Sequence, residues 1–226
     1  MDDKKVKFPK KIKVGGLIYT ILYPHVFIDQ PTYVGLHNGV ASKIRIANTY
    51  QEYKRENQIM IETYLHELLH AVDFVYCGDT IDENILAVCA RAWLQVLQDN
   101  ELFLHSDKIP KKVKIGCFIY KVKYPHSSVE SNKTVVASTS NDKLIISLDN
   151  NDGAEAFSPQ FLKVALVNGI SSAITCIYFN NSENSNNGEN EDILKLKRTN
   201  FSHGLYQVLV DNKVDILIKK YMKKQV

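Results

Sequence analysis

Polar and apolar residues alternate with period two over Lys11 to Val14, which together with the apolar-rich Leu17 to Tyr23 flanks Gly15-Gly16. That period marks half-buried strands, and a two-residue glycine turn closes a hairpin with matching twist. Tyr33 to His37 and Lys43 to Ala47 flank Asn38-Gly39 and predict a second hairpin. The period then changes. No glycine or proline interrupts Tyr50 to Tyr76, and Ile61, Leu65, Leu68, Val72 and Val75 recur at helical spacing. Thr49 and Glu52 have capping-box spacing, a break near Glu56-Asn57 is expected in so long a run, and Gly78 stands where a helix stops. A second helix is expected from about Ile81 to about Gln98, opened by Thr80 and Glu83. Its apolar residues, among them Leu86, Trp93, Val96 and Leu97, go round most of the surface, which predicts burial. The unit so predicted is α+β, a small antiparallel sheet followed by two packed helices.

The unit occurs twice. Pro9 to His25 (PKKIKVGGLIYTILYPH) and Pro110 to His126 (PKKVKIGCFIYKVKYPH) share ten of seventeen positions at an offset of 101. A second echo, Trp93 to Asn100 (WLQVLQDN) and Leu205 to Asn212 (LYQVLVDN), has an offset of 112. The eleven extra residues fall in Asn180 to Asp192, a polar stretch without periodicity that reads as an inserted surface loop. The expected division is therefore 1–106 and 107–226, two tandem copies of one fold.

Composition narrows the class. Of 226 residues, 45% are apolar and 23% charged, an ordinary globular balance. A net charge of +3 is too weak to argue for nucleic acid or a membrane surface, although the copies differ, at −2 and +5. Cys77, Cys89, Cys117 and Cys176 form no C-x-x-C pair, so neither a zinc ribbon nor a disulfide framework is expected, and a reducing, cytoplasmic setting fits best. Met1 to Lys13 carries six lysines with no apolar core behind them, and no run approaches 18 uninterrupted apolar residues, so neither secretion nor membrane spanning is expected.

One motif carries chemistry. His66-Glu67-Leu68-Leu69-His70 lies where the helical pattern is strongest. Four residues advance a helix by about 6 Å and a little over one turn, so both imidazoles project from one face and can converge on one zinc ion. Glu67 sits beside that site as a general base, able to take a proton from an activated water without occupying a coordination place. A catalytic zinc needs a third protein ligand. Glu83, at the start of the following helix, is the choice, since antiparallel packing after the turn at Gly78 can bring its carboxylate back toward the histidines; spacing permits this without requiring it, and the same residue can serve as the capping acid of Thr80. Asp79 and Asp82 compete with it, and Asp73 fits better as a carboxylate orienting His70. For the oxyanion donor, His37, His25 and Tyr64 are candidates and the role stays unassigned. An extended substrate is expected to add to an open sheet edge near Lys43 to Ala47.

The order of opening hairpin, Tyr33-Val34-Gly35, Lys43-Ile44-Arg45-Ile46, TYLHELLHAVDF, a glycine and DENILAVCARAWLQVLQDN resembles the small zinc metallopeptidase-like proteins of phages and prophages in low-GC bacteria. These are relatives of the ImmA/IrrE metallopeptidases. The resemblance covers about Lys11 to Asn100, and its specific part is Thr63 to Asn100. It implies a minimal gluzincin fold, zinc held by His66, His70 and Glu83, and cleavage of a protein or peptide substrate, with a regulatory protein of phage or host as the class to expect.

In the second copy Val167, Asn168 and Ser171 stand at the positions of His66, Glu67 and His70, and Lys195 stands opposite Glu83. That copy is expected to keep the fold, to bind no zinc, and to serve in packing or in binding a protein partner. Ser158-Pro159 and the apolar run Phe161 to Tyr178 predict its counterpart helix, while His126 and His203 read as isolated residues. Val214 to Lys224 reads as an amphipathic helix with a solvated basic face rather than a nucleic-acid contact. The alternative to a peptidase is a non-catalytic zinc-binding interaction or inhibitor module. Glu67 argues against it, since a purely structural site needs four closed ligands and no base.

Overall fold

The computed structural model describes residues 5–101, 103–106, 108–125, 136–149, 156–179 and 191–222, with the side chains of 191–197 outside that description. The protein is α+β and divides into two compact units, Met1–Gln98 joined by Gln207–Val226, and Asp99–Tyr206. The units do not coincide with the sequence copies: the tail of the second copy belongs to the first unit.

In the first unit, β1 (Lys11–Val14) and β2 (Leu17–His25) form the expected hairpin, and β3 (Gly35–Asn38) and β4 (Lys43–Ala47) form the other. Alternation puts Ile12, Val14, Tyr19, Ile21, Ile44 and Ile46 on the buried face. The strand order is β1-β2-β4-β3, and β2 and β4 run parallel. The sheet is thus mixed, antiparallel within each hairpin and parallel where they join, because the connection after His25 carries the chain past the central position to the edge before it turns back. β4 lies inside the sheet, and the edge strands are β1 and β3.

The helical run begins later than the pattern predicts. Thr49–Tyr50 (β5) and Tyr53–Lys54 (β6) pair as a small hairpin whose turn puts Gln51 at φ 52°, so Thr49 and Glu52 are turn residues and not a helix cap. Helix α1 spans Asn57–Val72, close to the break expected at Glu56-Asn57, and buries Met60, Ile61, Leu65, Leu68 and Leu69. It widens into a π turn over Asp73–Cys77 and stops at Gly78, whose φ of 77° suits glycine. Helix α2 spans Glu83–Asp99 and buries Leu86, Trp93, Val96 and Leu97. Asp82 caps it: its carboxylate accepts the Asn84 N–H at 2.8 Å and its carbonyl the Leu86 N–H at 3.0 Å. The expected capping residue, Thr80, instead donates its hydroxyl to the Cys77 carbonyl at 3.0 Å. Helix α5 (Val214–Tyr221) completes this unit, burying Val214 and Ile218 while Lys219 donates to the Gln98 carbonyl at 2.7 Å, so its basic face is only partly solvated.

The second unit repeats the design. Strands β7 (Lys112–Ile115), β8 (Phe118–Lys123), β9 (Ala137–Ser140) and β10 (Ile145–Leu148) lie in the order β7-β8-β10-β9, again with the central pair parallel. The Tyr-Pro peptide shared by the copies is cis in both. Helix α3 (Pro159–Phe179) starts as predicted, with the Phe161 N–H on the Ser158 hydroxyl at 3.2 Å, and α4 spans Glu191–Asp211. By length and composition α3 is able to cross a membrane, but 56% of its most apolar stretch is buried inside the protein, as in a core helix. The expected insertion lies outside the described residues up to 190, as does His126, and His203 is exposed. None of the four cysteines forms a disulfide.

Candidate metal centre

The one-turn spacing on α1 and the return of the chain through Gly78 bring three side chains to a point. Nε2 of His66 and Nε2 of His70 are 3.1 Å apart, and the two Glu83 carboxylate oxygens approach them at 3.1 and 2.9 Å. Two donors on a tetrahedral zinc with 2.0–2.1 Å bonds lie about 3.3 Å apart, so the cluster is near that spacing. Burial, reinforced by His70, holds His66 below the ordinary imidazole range, with Glu83 and Glu62 opposing. Two imidazole nitrogens and a carboxylate facing one another at such distances call for a proton or a cation among them. The His66, His70 and Glu83 group can hold a metal ion, and the predicted ligands are those brought together.

Asp73 explains how Glu83 arrives there. Its carboxylate accepts the Thr80 N–H at 3.3 Å and the Ile81 N–H at 3.0 Å, which pins the turn leading into α2. It therefore fixes the turn two residues before the third ligand, in place of the expected bond to His70. The sequence signal was its position just before Gly78, but the π turn that aims it was not readable from helical spacing. Asp79, with φ 59°, lines the cleft without joining the ligand group, and Asp82 is spent on capping.

Glu67 is buried at 5% exposure beside the cluster. Burial pushes its carboxyl up to about 8, partly offset by the backbone N–H of His37 on β3 and helped by the charges of Glu83 and Glu62. β3 comes this close because residue 35 is glycine: a Cβ there would collide with the Glu67 carboxylate and lie 2.6 Å from the Thr63 methyl. The buried Arg55 guanidinium locks the approach, donating to the carbonyls of Val34 and Ala47 at 3.1 and 2.7 Å and to the Thr63 hydroxyl at 2.5 Å. Arg55 and Gly35 were not singled out from the sequence, where neither belongs to a motif.

Of the three candidate oxyanion donors, His37 alone lines the cleft. Its ring stacks on His70 with centroids 6.2 Å apart and planes 7° from parallel, and burial followed by the His70 charge lowers it to about 4. Tyr64 is buried in the core against Phe8, with ring centroids 4.7 Å apart, and His25 packs edge-on to Phe27. The cleft has a volume of about 690 Å³. One wall is β3 with Tyr33, Leu36, Val40 and Phe74, and the other carries the Arg91–Glu62 pair at 3.4 Å. The sheet edge that lines the cleft is β3, in place of the expected Lys43 to Ala47, which has a neighbour on both sides.

In the second unit Ser202, fully buried on α4, has its hydroxyl 3.3 Å from that of Ser171 and 3.5 Å from the Asn168 amide oxygen. Small polar groups that satisfy one another occupy the positions equivalent to Glu67 and His70. Comparison with protein-family models, with curated proteins and with solved structures finds no match.

Proposed function

We propose that the first unit is a zinc-dependent peptidase of the ImmA/IrrE type, acting in the cytoplasm on a protein or peptide, with a regulatory protein of phage or host as its expected substrate class, and that the second copy is a degenerate duplicate without catalysis. One observation carries the reading: three neutral-or-anionic donors converge within 3.1 Å while Glu67, the next residue on the same helix, stands buried beside them and outside the ligand set. Two nitrogens and one oxygen form the donor set of a hydrolytic zinc that keeps a place open, and a closed structural site has no use for the adjoining acid. When bound by His66, His70 and Glu83, zinc supplies Lewis-acid chemistry, bringing the pKa of a water toward about 7.

Glu67 takes the proton from the attacking water and returns it to the leaving amine. Burial raises this carboxyl in the metal-free site, and a cation held by His66, His70 and Glu83 would bring it back toward the range in which it can both accept and return a proton near neutrality. His37 anchors that carboxylate through its backbone N–H, and Arg55 anchors the strand that carries His37. A peptide chain would lie along β3, its side chains meeting the apolar wall.

The test is metal analysis of wild type and His66→Ala, together with proteolysis by wild type and Glu67→Gln. One zinc per chain in wild type, none in His66→Ala, and cleavage abolished in a Glu67→Gln protein that still holds zinc is the expected pattern. A wild type that binds zinc, cleaves nothing and matches Glu67→Gln in every biological effect supports the alternative of a non-catalytic zinc-binding module, which the loss of all ligands in the second copy makes a credible end point.

A further inference from the structure

The echo Q-V-L-x-D-N that closes both copies has no part in the zinc chemistry, yet in the folded chain its polar residues converge on the opening hairpin of each unit. In the first unit the Asn212 side chain accepts the Lys13 N–H at 2.8 Å and donates to the Lys13 carbonyl at 2.8 Å. In the second, Asn100 makes the same pair of bonds to Lys114, at 2.7 and 2.9 Å, and Asp99 pairs with the Lys114 ammonium at 2.7 Å. Each hairpin is thus gripped by the end of the other copy's sequence.

In the first unit the glutamine of the echo takes part as well. Oε1 of Gln207 accepts the Gly15 N–H at 2.9 Å and the Tyr76 hydroxyl at 3.4 Å, and its amide donates to Asp211 at 2.7 Å. Gly15, at φ 56°, is packed so tightly on the π turn that a Cβ would lie 2.8 Å from Val75. Gln207 therefore ties the hairpin to Val75 and Tyr76. The π turn begins at Asp73, whose carboxylate holds the N–H groups of Thr80 and Ile81 ahead of Glu83. From Gln207 to the third ligand the path is one run of hydrogen bonds and packed backbone.

We propose that the tail of the second copy is a working part of the first copy's metal centre: Gln207 is a positioning residue that braces the π turn and so sets where Glu83 meets the two imidazoles. This rests on the zinc-site reading and adds a reason for retaining the second copy, whose own site is gone. Support of this kind acts on a ligand's placement, the property by which outer groups tune metal affinity.

The test titrates zinc alone, against a competing chelating dye, into the full-length chain and its variants, with thermal unfolding of the metal-free proteins measured alongside. Gln207→Met keeps the volume and removes both polar atoms, and it is expected to weaken zinc about fivefold or more, with the double variant Gln207→Glu/Asp211→Asn, which keeps the acceptor for Gly15 and Tyr76 and swaps the donor to residue 211, restoring most of the loss. Asn100→Ala breaks the equivalent grip in the second unit and is expected to cost stability while leaving zinc affinity within about twofold. If Gln207→Met does not fold, Tyr76→Phe, which deletes the hydroxyl and keeps the ring, decides the matter by its zinc affinity. Unchanged affinity in the folded Gln207 or Tyr76 variant, or an equal loss in Asn100→Ala, overturns the proposal while leaving the zinc reading intact. A wild type that takes up no zinc overturns both.

Discussion

Replacing Glu67 by Gln is expected to stabilise the metal-free protein, increasingly as pH rises from 4.5 to about 8 and fully above it. The carboxyl goes from an ordinary 4.5 to about 8 on folding, with burial the main cause. Below pH 4.5 both states hold the proton and burial of the neutral acid adds no penalty. As pH rises from 4.5 toward 8 the unfolded chain ionises first, the folded state loses ground, and above 8 the difference is constant. At ~1.4 kcal/mol per tenfold change in the proton equilibrium, the ceiling is about 5 kcal/mol. Local relaxation and water entry bring the expected effect to about 2–4 kcal/mol. Glutamine retains the acceptor for the His37 N–H and carries no charge. Urea unfolding of chelator-treated wild type and Glu67→Gln at pH 5 and pH 9 measures it: the variant should be close to wild type at the lower pH and clearly more stable at the higher. An identical difference at both values would refute the claim that this carboxylate is buried at a cost.

Glu83→Ala should weaken zinc by more than about 100-fold, because a ligand is lost rather than a supporting group, while Asp79→Asn should leave affinity within about threefold; competition titration separates the two. Gly35→Ala should destabilise the protein by about 1–3 kcal/mol, since the new methyl meets the Glu67 carboxylate and Thr63, whereas Gly16→Ala, with nothing within 4 Å of its Cβ, should be nearly neutral in thermal unfolding. Arg55→Met should cost about 2–4 kcal/mol in denaturant unfolding by taking the guanidinium from the Ala47 carbonyl and the Thr63 hydroxyl, while the Val34 carbonyl keeps the Ala47 N–H at 3.0 Å.

The four strands of the first sheet and the two histidines were legible because each rests on a local rule. The turns Gly15-Gly16 and Asn38-Gly39 marked the two hairpins, the one-turn spacing of His66 and His70 needed only a helix beneath it, and Glu83 came from the family resemblance, which spacing merely allowed. What escaped depended on partners distant in sequence. Alternation says which face of β2 and β4 is buried and is silent on which strand lies between which, so the parallel pairing was missed. Thr49 and Glu52 satisfy the spacing of a helix cap, yet Gln51 in the left-handed region turns that segment into a hairpin. Asp73 was recognised as a supporting acid but given the wrong partner, because an ideal helix continued through Asp73–Cys77 does not contain the wider turn that aims its carboxylate at Ile81. Arg55 left no trace, since a lone arginine before a helix has the composition of any surface residue.

The exchanged asparagine grips at Lys13 and Lys114 also bear on how this gene can change. A cut anywhere between the two copies deprives both fragments of a clasp at once, so neither half is a free-standing cassette for recombination to carry off. The half that has Val167, Asn168 and Ser171 in place of His66, Glu67 and His70 can vary there, but it has to be inherited together with the half it secures.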